Sequence, residues 1–169
     1  MLSRRQFLSV AGTGAGVLIA GGWALHRAWP DSTPRGGRRF LGDADAVLIA
    51  ALAPVVIGFA GVDRAAVLRG FDLAAAGLPP GPQRQLRRLL DVLGSRWGRH
   101  GLAGVTLPWG EAAASEIEAF LQRWRLGRLQ LLRGAYQALH ALICAAWYGN
   151  PASWEALDYR QPPVMEWLP

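Results

Sequence analysis

The chain contains no lysine, one cysteine and only three histidines among its 169 residues. The single cysteine, Cys144, excludes an internal disulfide and any zinc or iron–sulfur site built from cysteines of this chain alone. A Cys-x-x-Cys-His sequence for covalent haem attachment is absent as well. His26, His100 and His140 have no metal-ligand spacing on one helix and no accompanying His-Glu motif. Ser95, Ser115 and Ser153 lack a Gly-x-Ser-x-Gly setting, so no nucleophile elbow is present. No segment shows the β-branched alternation that strands require, and no internal repeat is found.

The lack of lysine also changes the meaning of the charge. All eighteen basic residues are arginine, so the sequence pI of about 10.9 overstates a formal net charge of only +6. Residues 1–30 hold three arginines and no acid, which leaves fifteen arginines against twelve acids, or +3, for the remainder. Arg84, Arg87, Arg88, Arg96, Arg99, Arg123, Arg125, Arg128 and Arg133 alternate with apolar positions, the pattern of solvated helix faces. Such faces suit water, an acidic protein or anionic lipid, and they give no reason to expect nucleic acid.

What is present begins at the N-terminus. Ser3, Arg4, Arg5, Phe7 and Leu8, followed by a Gly/Ala-rich apolar stretch from Val10 to Leu25, resemble a twin-arginine export signal. Adjacent guanidinium groups stay charged and offer planar, multi-donor contacts to an acidic receptor of the Tat translocase. The glycines at positions 12 to 22 lie in this leader, so a phosphate-loop reading of them fails. Sixteen apolar residues are short against the roughly 20 needed to span a bilayer. Gly22-Trp23-Ala24 supplies small residues at the cleavage offsets, although no Ala-x-Ala follows. A cleaved leader is favoured over a retained anchor, and either places the chain in the periplasm, across the inner membrane of a bacterium. Residues 1–30 are thus targeting sequence, 31–42 a Ser/Thr/Pro/Gly linker, and 43–169 one domain of ordinary length.

That domain reads as all-α, with about five to seven helices in an orthogonal or bundled arrangement. Asp43 suits the N-cap of a first helix that Pro54 should kink or end near Gly58. Asp63 begins a second helix, to about Ala76, with Val67, Phe71, Ala74 and Leu78 on one side. After the Leu78–Pro82 break, Leu86, Leu89, Leu90 and Leu93 form an apolar stripe opposite Arg84, Arg87, Arg88 and Asp91. Gly98, Gly101 and Gly104 predict a loop, and Leu107-Pro108-Trp109-Gly110 introduces a helix carrying Ile117, Phe120, Leu121 and Trp124. The longest helix is expected from about Arg128 to Tyr148. One face carries Leu129, Leu132, Tyr136, Leu139, Ile143 and Trp147, and the opposite face carries Leu131, Ala135, Ala138, Leu142 and Ala145. Apolar character on both sides predicts a central core helix, with Cys144 a small buried hydrophobe in it.

The C-terminus carries the remaining signature. Trp147-Tyr148-Gly149-Asn150-Pro151, then Trp154, Leu157-Asp158-Tyr159 and Pro162-Pro163, resembles the tail of the small subunit (subunit 3) of gluconate 2-dehydrogenase-like enzymes. Family tails usually show Tyr-x-Gly-Pro-Pro; here Gln161 stands in place of the Gly. The resemblance implies a helical, Tat-exported accessory subunit with no catalytic, cofactor-binding or metal-binding residue of its own. Its partner would be an FAD-containing large subunit of the glucose–methanol–choline class, and a cytochrome c subunit carrying haem often completes such complexes. The resemblance makes Trp147, Tyr148, Gly149, Asn150, Pro151, Trp154, Tyr159, Pro162 and Pro163 the candidate partner interface. Aromatic side chains dominate binding hot spots, although folding back over the long helix is the competing role for them. Two other readings compete with the whole: an independent periplasmic enzyme with an unusual site, and a membrane-anchored helical scaffold of another respiratory complex.

The leader supplies a first test. Arg4→Lys with Arg5→Lys keeps the charge and removes the paired guanidinium geometry. The double variant is expected to remain in the cytoplasm on fractionation; unchanged periplasmic levels would exclude twin-arginine export.

Overall fold

The computed structural model describes Pro34 and residues 36–156; the leader and the chain beyond Ala156 lie outside the described residues. Six α-helices and one π-helical turn follow in order, with no strand among the described residues: α1 (Asp43–Ile57), α2 (Arg64–Ala76), α3 (Pro80–Gly94), the π-turn (Gly98–Ala103), α4 (Ala114–Leu126), α5 (Gln130–Tyr148) and α6 (Pro151–Ala156). The all-α expectation and the helix count hold.

The centre is α1. It touches α2, α3, α4 and α5, and only Asp43 and Val47 along it are exposed. Its sequence DADAVLIAALAPVVI is apolar nearly all round, which is the composition a surrounded helix needs. Leu48, Ile49, Leu52 and Ala53 are fully buried against Val67 and Phe71 of α2, Leu90 and Leu93 of α3, Phe120 of α4 and Leu139 and Ile143 of α5. Pro54 stays inside the helix, which closes three residues later where the Gly58 amide, in the left-handed region (φ 74°), donates to the Pro54 carbonyl.

The long helix α5 is not the central one. It starts at Gln130, with Leu129 as N-cap, and buries Leu139, Ile143, Ala146 and Trp147. The face expected to be a second core face is only partly so: Ala135 and Leu142 are half-buried and pack on the core, whereas Leu131 is 56% exposed and Ala138 and Ala145, with neighbouring Ala141, are exposed too. The reason is topological, because α1, α2 and α4 all pack on the other side of α5. Where α2 meets α5 the backbones come very close. A Cβ at Gly70 would stand 3.0 Å from both Cα and Cβ of Ala146, so a larger residue would push the helices apart.

Two buried carboxylates tie the segment before α1 to the body. Asp72, on α2 and 6% exposed, accepts backbone N–H bonds from Arg39 (2.7 Å), Phe40 (2.9 Å) and Leu41 (2.8 Å). The end of the expected linker is therefore part of the fold, with Leu41 fully buried. Asp45, 3% exposed, receives Arg87 of α3 in a two-pronged pair at 2.6 and 2.8 Å, and accepts the Gly42 amide at 2.7 Å. The N-cap of α1 is thus Gly42 rather than Asp43, and the Asp45 side chain at the third helical position satisfies the cap amide. Arg87 also donates to Asp91 at 2.8 Å and lies 5.3 Å from the Phe40 ring centroid. Expected on a solvated face, Arg87 is instead the hub between α1 and α3.

The Gly98–Ala103 segment is a π-helical turn rather than a loop. It is closed by Gly104 in the left-handed region (φ 64°) and by the Val105 amide donating to Arg99 O at 3.0 Å. Gly98 has no room for a side chain, since a Cβ would fall 1.9 Å from the Val92 carbonyl oxygen. Trp109 and Trp124 bind this corner to the core. Their indole N–H groups donate to Leu93 O (2.8 Å) and Leu102 O (3.2 Å), with Phe120 in ring contact with both.

Burial alone raises the Asp72 pKa, but the amides of Arg39, Leu41 and Phe40 and the Arg38 charge outweigh it, leaving the pKa below the ordinary value of 3.8. A depressed folded pKa contributes stability above the unfolded pKa, and that stability is lost as pH falls from about 4 through the folded value. Asp72→Asn removes the charge and offers one oxygen to three donors. It should cost about 2–4 kcal/mol at pH 7 and flatten the loss of stability below pH ~4, as read by denaturant unfolding across pH.

Candidate functional site

Of the residues singled out for function, Trp147, Tyr148, Gly149, Asn150, Pro151 and Trp154 lie within the described residues. Tyr159, Pro162 and Pro163, and the export residues Ser3, Arg4, Arg5, Phe7 and Leu8, lie outside them.

The described part of the tail begins where α5 runs out of intrahelical donors. The last carbonyls of a helix need partners from elsewhere. The Gly149 amide donates to Ala145 O at 3.0 Å and the Asn150 amide to Trp147 O at 3.1 Å, tightening the final turn. Pro151 then opens α6, where its missing N–H costs nothing. The Asn150 side-chain oxygen accepts the Ala152 amide at 3.1 Å, and its carbonyl accepts the Ser153 amide at 2.9 Å. The Ser153 hydroxyl, 2% exposed, lies 2.6 Å from Trp147 O and 2.7 Å from Asn150 O, and its one proton serves either. Trp154 completes the set, its indole N–H donating to Tyr148 O at 2.8 Å.

The pattern Trp-Tyr-Gly-Asn-Pro-x-Ser-Trp therefore has local content. It turns the chain and satisfies the last carbonyls of α5 with a hydroxyl and an indole. Ser153, which lacks a nucleophile's sequence setting, is one of the residues that does this. Trp147 points inward and is 3% exposed, and its indole nitrogen is buried without an acceptor. Tyr148 is 49% exposed, Gly149 and Pro151 are exposed, and Trp154 is half-buried. Core and surface roles are thus divided along the motif by residue.

A cleft of about 230 Å³ opens between α1, α4 and α5. Val55, Val56 and Leu121 line it with apolar surface, and Glu118, Gln122, Arg125, Tyr136 and His140 bring polar groups. Next to it, Cys144 Sγ stands 3.7 Å from His140 Nδ1 and 3.9 Å from Nε2. Nearly equal distances to both ring nitrogens mean that the sulfur is aligned with neither lone pair. Burial also pushes the Cys144 thiol above its ordinary value, away from the thiolate that nucleophilic chemistry needs. Cys144 is half-buried rather than fully buried. Among the described residues, no three His, Cys, Asp or Glu side chains gather as metal ligands would, and no helix is long and apolar enough to cross a membrane.

The α5 closure can be tested directly. Trp154→Phe keeps the ring and removes the N–H from Tyr148 O, at an expected cost of about 1 kcal/mol. Ser153→Ala removes the hydroxyl donor, although Trp147 O keeps the Asn150 amide and Asn150 O the Ser153 amide, and should cost about 1 kcal/mol. Thermal or denaturant unfolding reads both, and neither variant should lose helical content. Comparison of the chain with known protein families, curated proteins and solved structures finds no match.

Proposed function

We propose that this chain is a non-catalytic small subunit of an exported, FAD-dependent dehydrogenase. In this role it binds the catalytic flavoprotein and escorts it through the twin-arginine route to the periplasmic face of the inner membrane. The observation that carries this reading is the pairing, in one chain, of the Arg4-Arg5 leader with the Trp147–Pro163 tail. The twin-arginine route moves folded cargo, so one signal suffices for two docked proteins. Flavin chemistry, and haem where a cytochrome subunit is present, belong to the partners.

The arrangement of the tail supports this reading in one respect. Closing α5 uses Ser153, the Trp154 N–H and backbone groups, while Tyr148 and Pro151 remain accessible for contact with a partner. An exposed tyrosine beside a half-buried tryptophan has the residue types found at binding hot spots.

Affinity purification of the tagged full chain from its own host tests the proposal. A flavoprotein should co-purify, recognised by its absorbance and by mass spectrometry. The chain produced alone should be colourless and inactive with a dye acceptor. A flavin bound by this chain in isolation would overturn the proposal. Tyr148→Ala should weaken co-purification of the flavoprotein while leaving thermal unfolding nearly unchanged, since about half of its surface is already in water.

A further inference from the structure

Three of the large apolar side chains that stand in solvent fall within six residues at the α4–α5 corner: Leu126 (75% exposed), Leu129 (65%) and Leu131 (56%). The corner is short, with only Gly127, Arg128 and Leu129 between the helices. Arg133 fixes its shape by donating to Gly127 O at 2.7 Å and Arg128 O at 3.0 Å, so a cation is held at the turn itself. Arg125 and Arg128 flank the leucines, are exposed, and form no ion pair with a described residue. From residue 119 to residue 154 the chain has four arginines and no acid. The exposed small-residue face of α5, with Ala138 and Ala141, runs on from this corner.

We propose that the α4–α5 corner is a docking tip for an anionic lipid bilayer, with the three leucines entering the headgroup–acyl boundary and Arg125, Arg128 and Arg133 facing lipid phosphates. Leucines ringed by cations are the composition of interfacial membrane contacts, which combine apolar burial with attraction to anionic headgroups. A protein partner fits less well. Leucine is under-represented at protein hot spots, and the corner offers no aromatic anchor among residues 125–133. A bilayer needs no complementary pocket to receive a projecting corner. The site is separate from the tail and does not depend on the flavoprotein reading.

The test uses the full chain with Cys144→Ser, carrying an environment-sensitive NBD label on a cysteine introduced by Leu129→Cys or, as a control, by Gln85→Cys on α3. Gln85 is exposed on α3, a helix other than the two that form the corner. Vesicles of phosphatidylglycerol and of phosphatidylcholine are compared to read the dependence on anionic headgroups, and the two label positions distinguish a chain held only by its leader from one whose corner meets the bilayer. On phosphatidylglycerol the label at position 129 should shift to the blue and brighten, while the label at position 85 keeps its emission in water. Arg125→Gln with Arg128→Gln should reduce the signal at position 129 severalfold. A label at position 129 that stays water-like on phosphatidylglycerol overturns the proposal, whether or not the chain sediments with the vesicles. If polyglutamate then shifts that label instead, the corner belongs to an acidic protein.

Discussion

Arg87 holds together what the apolar core alone would leave loose. A guanidinium between α1 and α3 meets the buried Asp45 carboxylate in a two-pronged geometry, while its third nitrogen reaches Asp91. Burial by itself lowers the Arg87 pKa, but the hydrogen bond and charge of Asp45, and then Asp91, raise it above the ordinary arginine value. Removing either partner of such a pair leaves a buried charge unanswered, which is far more costly than the net worth of the pair. Asp45 in turn satisfies the amide that begins α1, so the start of the central helix, its cap and its docking to α3 depend on one carboxylate. Asp72 does the same for Arg39, Phe40 and Leu41, through backbone amides instead of a cation. Together they make an approach segment, expected to be a linker, into part of the domain.

Around this network the helices are arranged by which one can be surrounded. α1 lacks a polar face beyond its first turn, and four helices cover it. α5 is longer and has no acid, but it carries small residues on its outer side. Alanine and glycine lose little by remaining in water, whereas the leucines and isoleucine of the inner side are buried. The consequence is an asymmetric surface, with an open small-residue face that ends in three projecting leucines at the α4–α5 corner. Apolar surface of that kind, ringed by arginine, is the feature of this chain most readily connected with something outside it.

The tail shows how a motif can have two meanings. Within the described residues its serine and second tryptophan serve the carbonyls of α5, its asparagine side chain accepts the Ala152 amide at the start of α6, and its first tryptophan is core. Such positions are constrained by folding alone. The Tyr148 ring stands half in water, and Pro151, which opens α6, is exposed. A resemblance carried by the whole motif therefore mixes structural and binding residues, and only accessibility separates them.

The periodic elements were readable from sequence because burial of a stripe leaves a local mark. Leu86, Leu90 and Leu93 repeat at helical spacing, Asp63 caps α2 with its side chain on the Ala66 amide, and Gly58 ends α1. These effects operate within one or two turns of chain, and so does the closure of α5 by residues six or fewer positions away. The Gly98–Ala103 π-turn escaped, because its glycines mark close approach to Val92 as readily as they mark a loop. So did the role of Arg87, which is written in Asp45, 42 residues away. The choice between α1 and α5 as the central helix was equally out of reach. Both are apolar in sequence, and which one is enclosed depends on where the other helices pack. Amphipathic periodicity and caps are properties of a segment and were settled by the chain itself. Buried ion pairs, the central position and the exposed leucine corner are relations between segments, and only the tertiary structure decided them.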